Sequence, residues 1–217
     1  MGGIGKSIIA KDLYVNMCSQ FDLHCFIGNV REESIRCGLN VVSNKLLTTL
    51  LELRLDAPYV ETPILERRLA CEKSLIVLDD VATLGQAEYL NNMCLGPGSR
   101  VIVTTRDKQI FSQFDECLIY EVEGLDKDDS LQLFCWHAFK TKHAKDGYEE
   151  LIERAIRYCG GNPLALKVLG ANLCTKRKEV WDSELEKLKE IPNRTIQDVL
   201  RSSFDDLDRT YSTRHIS

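Results

Sequence analysis

An α/β fold, with a parallel sheet in the first half and helices alone in the second, follows from three features of the sequence. Two continuous apolar runs, "SLIVLDD" (74–80) and "RVIVTTR" (100–106), suit strands buried on both faces. Helical patterns alternate with these runs and with a third, "LIYEV" (118–122), and such alternation belongs to a parallel sheet covered by helices. Beyond about residue 123 no strand-like run follows, and four helical patterns take over.

The elements follow in order. Residues 7–19, "SIIAKDLYVNMCS", carry apolar residues at helical spacing. "LHCFIGNV" (23–30) reads as a short strand and "REESIRCGLN" (31–40) as a polar loop. "VVSNKLLTTLLELRL" (41–55) and "PILERRLAC" (63–71) read as helices, with Pro63 in a first turn. The turn "GPGS" leads into the second apolar run. The later helices are "DKDDSLQLFCWHAF" (126–139), "YEELIERAIRYC" (148–159), "NPLALKVLGANLC" (162–174) and "VWDSELEKLKE" (180–190). Asp126 or Asp128 is a candidate cap for the first of these and Asn162 for the third, with Pro163 behind it. "IPN" (191–193) reads as a linker before a last helix, "RTIQDVLRSSFDDL".

Composition narrows the function. An apolar fraction of 44% and a charged fraction of 28% belong to a chain that buries a core. The net charge of −5 has no basic stripe within it, so no nucleic-acid partner is expected. There is no secretory signal and no apolar run near 20 residues, so no membrane span is expected. The nine cysteines include no C-x-x-C pair and the four histidines are scattered, which argues against zinc. Cys25 and Cys135, in apolar surroundings, are expected to be small, reduced core residues. The start "MGGIGKS" misses the myristoylation pattern because Lys6 stands where Ser or Thr is required.

"MGGIGKSIIA" holds the end of the phosphate-loop pattern G-x-x-x-x-G-K-[ST] in Gly5, Lys6 and Ser7. The first glycine of the pattern falls one position before Met1. Gly2, Gly3 and Gly5 permit backbone shapes that let amide groups converge on phosphate oxygens. A helix starting near Lys6 adds its N-terminal partial positive charge. Lys6 is the candidate for the β- and γ-phosphates, and the Ser7 hydroxyl for Mg²⁺. Asp79 and Asp80, ending the run "LIVLDD", supply a metal-holding acid and an acid that orients or deprotonates an attacking water. Arg106, ending "VIVTTR", is placed to sense or neutralise a γ-phosphate. The guanine signature N-K-x-D is missing: "NKLL" (44–47) lacks its aspartate, which favours adenine.

The stretches "GGIGKS", "FDLHCFIGNVREES", "KSLIVLDDVATLGQAEYL", "GSRVIVTTRDKQIF", "YEVEGLDKDDSLQLFCWHAF" and "GGNPLALKVLG" resemble, in sequence and order, the nucleotide-binding (NB-ARC) module of plant disease-resistance receptors with leucine-rich repeats. "FIGNVREES" is similar to the subclass with a Toll/interleukin-1-receptor-like domain. The resemblance implies a P-loop NTPase sheet lacking its first strand (1–123), a small all-α domain (124–190) and the start of a winged-helix domain (191–217). It implies ADP binding at rest and ATP binding when active, with Mg²⁺. Hydrolysis is expected to be slow at most. It also implies a cytoplasmic or nucleo-cytoplasmic setting, self-association on activation, and partnership with a signalling domain and leucine-rich repeats of a longer receptor.

Carried over by position, Gly2, Gly3, Ile4, Gly5, Lys6, Ser7 and Ile8 form the nucleotide-binding loop. Ser7 and Asp79 meet the metal, Asp80 is the catalytic acid, Arg106 the nucleotide-sensing arginine, and Pro163 packs near adenine. Two positions depart from the family. Ile8 replaces a hydroxyl residue expected near the α-phosphate, a loss of about 0.5–1.5 kcal/mol for one hydrogen bond. Asn162 stands where Leu is frequent. The resemblance also implies that the strand before the loop is an inner one, so that "RVIVTT" and "LIYEV" lose a shared neighbour. The chain as written is therefore expected to fold poorly and to bind nucleotide weakly. A turnover ATPase and a nucleotide-independent interaction module are the alternative functions.

Overall fold

Strands β1 (Leu23–Ile27), β2 (Ser74–Val81) and β3 (Arg100–Thr105) form one parallel sheet in the order β1-β2-β3. The computed structural model describes residues 2–50, 62–91, 93–114 and 117–190. These fall into two compact units, Lys6–Ile119 and the pair of segments Met1–Gly5 and Tyr120–Ser217.

In the first unit β2 is buried along nearly its whole length because both faces of the sheet are covered. Leu75 and Val77 meet Ala10 of α1 (Lys6–Met17), with Tyr14 and Met17 alongside. Ile76 and Leu78 point the other way, into a larger cluster with Val42, Leu46 and Leu50 of α3 (Leu39–Leu50). The period of two in a strand thus divides one apolar run between two helical layers. Helix α2 (Val30–Cys37) joins the second layer through the fully buried Val30, and α4 (Thr62–Cys71) through Leu69. The short α5 (Glu88–Asn91) follows β2.

Two sequence expectations change. "REESIRCGLN" is helix α2 and the start of α3 rather than a loop. Glu32 and Arg36 are exposed and Arg31 and Glu33 half-buried, while Val30 anchors the first turn and Asn29, at φ 52°, makes the turn out of β1. "LIYEV" forms no strand. Leu118, Ile119 and Tyr120 are exposed, and β3 is the sheet's edge among the described residues. An apolar run becomes a strand only when a neighbouring edge takes its backbone groups. "RVIVTT", by contrast, has found one neighbour directly, with Ile76 opposite Val101 and Leu78 opposite Val103.

The second unit packs α6 (Lys127–Phe139), α7 (Glu149–Cys159), α8 (Pro163–Leu173) and α9 (Lys178–Glu190). Asp126, not Asp128, caps α6 by accepting from the Asp129 N–H at 2.8 Å. Helices α6 and α8 approach closely at Gly170, where a Cβ would lie 2.9 Å from His137 Cβ and 3.0 Å from the Phe134 carbonyl oxygen. Trp181 of α9, 1% exposed, fills the centre. The linker and last helix expected over 191–217 lie outside the described residues.

Three of the nine cysteines, Cys25, Cys135 and Cys159, are buried, and all nine are free thiols. Burial pushes Cys25 and Cys159 up to about 12, which keeps them protonated and inert. Cys25 and Cys135 are thus core residues as expected, whereas Cys37, Cys71, Cys94, Cys117 and Cys174 are exposed.

Candidate functional site

The glycine-rich start adopts the conformations its residues permit. Gly3 has φ 72° and Gly5 φ 98°, both left-handed. A Cβ at Gly5 would meet nothing within 4 Å, so the dihedral angle, not crowding, calls for glycine there. Helix α1 begins at the next residue, so Lys6 and Ser7 stand in its first turn, Lys6 half-buried and Ser7 exposed. Ile4 is buried and Ile8 is 77% exposed.

Within the second unit, Asn162 Nδ2 donates to the Gly2 carbonyl at 2.9 Å, and the Leu164 N–H donates to the Gly3 carbonyl at 3.3 Å. These bonds flank Pro163, the first residue of α8. Asn162 Oδ1 also caps α8, accepting from the Leu164 and Ala165 N–H groups at 3.0 and 3.1 Å. The side chain is 1% exposed and uses both ends of its amide. Leucine would do neither job. Asn162→Asp keeps the capping oxygen and sets a second acceptor against the Gly2 carbonyl. It is expected to lower unfolding stability by about 1–3 kcal/mol. Urea unfolding checks this, and a midpoint equal to wild type would show that the Gly2 contact contributes nothing.

A bulge shapes the acids. From Leu78 to Val81, β2 spends three steps while β3 spends two, from Val103 to Thr105. The extra residue puts Asp80 at φ 58°. Its N–H donates to Thr104 Oγ1 at 2.9 Å, and the Thr104 hydroxyl donates to Asp79 Oδ1 at 2.6 Å. Asp79 stays 5% exposed while Asp80 is turned outward. Adjacent strand residues already point to opposite faces, and the bulge re-aims the second one.

Asp80 Oδ1 lies 3.6 Å from Arg106 Nε and 3.2 Å from Arg31 Nη2. Arg31 stands in the first turn of α2 and is held there by a relay. Gln86 Oε1 accepts from the Ala82 and Thr83 N–H groups just after β2, at 2.7 and 3.2 Å. Gln86 Nε2 donates to Ser34 Oγ at 2.6 Å, and Ser34 donates to the Arg31 carbonyl at 2.9 Å.

The NB-ARC domain family matches residues 1–144. The chain belongs to the NB-ARC family. The NB-ARC chain is 40% identical over 215 residues to disease resistance protein RPV1 of Vitis rotundifolia, covering 96% of the chain and 15% of that relative. It is 38% identical over 216 residues to disease resistance protein RUN1 of Vitis rotundifolia, covering 97% of the chain and 16% of that relative. It is 36% identical over 219 residues to TMV resistance protein N of Nicotiana glutinosa, covering 96% and 19%. The chain thus spans about a sixth of the length of RPV1 and RUN1. It is a nucleotide-binding module of the kind carried by plant disease-resistance proteins.

In the NB-ARC chain, Asp79, Asp80 and Arg106 come together at the C-terminal ends of β2 and β3, and Gly2 and Gly3 bond to the residues beside Pro163. Thr104, Arg31 and the second role of Asn162 emerge only from the structure. Thr104 had a visible signal, a hydroxyl two residues before Arg106 in "TTR". Arg31 had none, because its contact with Asp80 spans 49 residues and depends on a helix read as a loop. A cavity of about 540 Å³ in the second unit is lined by Glu150, Arg154, Arg157 and Leu185 and holds none of the candidate residues. Among the described residues, no helix is long and apolar enough to cross a membrane.

Proposed function

We propose that this module binds ADP and ATP with Mg²⁺ and acts as a nucleotide-dependent switch in plant defence signalling. The observation that carries the reading is the β2 bulge, which gives two neighbouring acids different surroundings. Asp79 is buried and oriented by Thr104, whereas Asp80 is turned out to two guanidinium groups. Such a division suits one acid that holds a metal and one that handles a water. The donor set fits Mg²⁺: the Ser7 hydroxyl and the Asp79 carboxylate are hard oxygen ligands. No group of three or more His, Cys, Asp or Glu side chains gathers among the described residues. That suits an ion bound through few protein ligands plus substrate phosphates. When bound, the ion neutralises charge on the phosphate oxygens.

On this reading Gly2, Gly3, Ile4, Gly5 and Ile8 shape the loop, Lys6 meets the phosphates and Arg106 answers the terminal one. Pro163 gives the adenine a rigid surface. Asp80, held by cations, turns water over slowly. Nucleotide identity shifts the protein between two states only as far as each nucleotide prefers one of them.

The test is thermal unfolding with MgADP, MgATP and MgGDP. A ligand at a hundredfold excess over its Kd stabilises by about 2.7 kcal/mol. The adenine nucleotides are expected to raise Tm and GDP to leave it unchanged. A second reading, a nucleotide-independent interaction module, draws on the exposed Ile8, Ile9, Leu13 and Val15 of α1. It predicts no shift with any nucleotide.

A further inference from the structure

We propose that Arg31 is a positioning residue that takes over Asp80 when Arg106 is drawn to a terminal phosphate, and so sets the preference for nucleoside triphosphate over diphosphate. The inference rests on the nucleotide reading above and extends it to a residue outside the loop, the acids and the sensing arginine.

Two guanidinium groups share a single carboxylate oxygen, Asp80 Oδ1, with Arg31 at 3.2 Å and Arg106 at 3.6 Å. One anion between two cations leaves the trio with a net positive charge. An arriving phosphate can therefore be matched without stripping Asp80 of its partner, provided one arginine stays. Arg31 is the one built to stay. It is the closer of the two, and its backbone is fixed through Ser34 and Gln86 to the chain just beyond β2. Arg106, the more distant of the two, follows the last residue of β3 in a local turn closed by the Asp107 N–H donating to Thr105 Oγ1 at 3.0 Å.

Arg31 is also costly where it stands. A cation in the first turn of a helix opposes the helix dipole, and Glu32 and Glu33 are the favourable residues of that turn. Its Nε is buried without a hydrogen-bond partner among the described residues. Residues that break local preferences cluster at functional sites, where another gain retains them. Here the gain is the hold on Asp80, whose left-handed backbone turns its carboxylate out of the strand toward this guanidinium.

Without Arg31, Arg106 becomes the sole cation on Asp80 and must leave it bare in order to meet a terminal phosphate. The penalty falls on the triphosphate alone, since a diphosphate makes no such demand. Arg31→Gln is expected to weaken a non-hydrolysable ATP analogue about tenfold while ADP stays within about twofold, a factor of ten corresponding to 1.4 kcal/mol. Arg31→Lys, which restores the charge, is expected to recover most of the loss. Affinities are read by titration against a fluorescent nucleotide, with Lys6→Ala measured in parallel. Equal weakening of both nucleotides, an unchanged ratio, or no rescue by lysine overturns the role of Arg31. Lys6→Ala binding both nucleotides like wild type overturns the underlying nucleotide reading instead.

Discussion

Lys6→Ala is expected to weaken ADP binding by about 10- to 150-fold. The range comes from about 1.5–3 kcal/mol for a hydrogen bond to a charged group, at 1.4 kcal/mol per tenfold. What remains in the variant is the glycine-shaped backbone and the start of α1, with Gly3 and Gly5 still left-handed. A helix N-terminus supplies only about 0.3–1 kcal/mol toward an anion, so it does not replace the ammonium group. Folding is expected to change little, because Lys6 is half-buried at a helix start and alanine is the best helix former. The measurement is therefore a pair: a fluorescent-ADP titration and a urea unfolding curve on the same two proteins. Weakened binding with an unchanged unfolding midpoint supports a phosphate site at Lys6. Binding within twofold of wild type shows that the loop does not grip phosphate.

The parts of this site legible in the sequence are those whose chemistry is local. Gly5, Lys6 and Ser7 are adjacent, and the helix they begin follows at once. Asp79 and Asp80 end an apolar run whose burial on both faces is written in its composition. The helical unit was legible for the same reason: the Asp126 and Asn162 caps each act within three residues. Long-range decisions were hidden. Whether "LIYEV" pairs is not written in its composition: β3 borders the sheet among the described residues, yet Leu118, Ile119 and Tyr120 stay exposed and join no strand. The bulge that turns Asp80 out shows only as a mismatch of register between two strands, where Asp80 meets Thr104 across 24 positions. The grip of Asn162 on Gly2 crosses 160 positions, and a capping residue gives no hint that its other end has a partner.

Trp181→Ala is expected to cost about 3–5 kcal/mol, enough to unfold the helical unit if its stability lies near the low end of about 5–15 kcal/mol. Trp181 is the hub of an aromatic cluster. Phe139 stacks on it with centroids 5.3 Å apart, while Tyr148 at 5.0 Å and Phe134 at 5.9 Å meet it edge-on. The cluster joins α6, the start of α7 and α9, so one side chain closes three elements. Its indole Nε1 donates to the Leu173 carbonyl at 2.9 Å, which ties α9 to the end of α8. Truncation thus removes ring contacts, opens a cavity and takes a donor from a buried carbonyl together. Trp181→Phe separates the contributions, since it keeps a ring among its neighbours and loses the donor and part of the volume. Its expected cost from the lost hydrogen bond is about 0.5–1.5 kcal/mol, because the Leu173 carbonyl still accepts from the Lys176 N–H at 3.0 Å. Far-ultraviolet circular dichroism in urea reads both variants. If alanine costs no more than phenylalanine, the ring contacts contribute little and the tie to Leu173 holds the unit. If phenylalanine costs nothing, the reverse is true and packing alone closes the four helices.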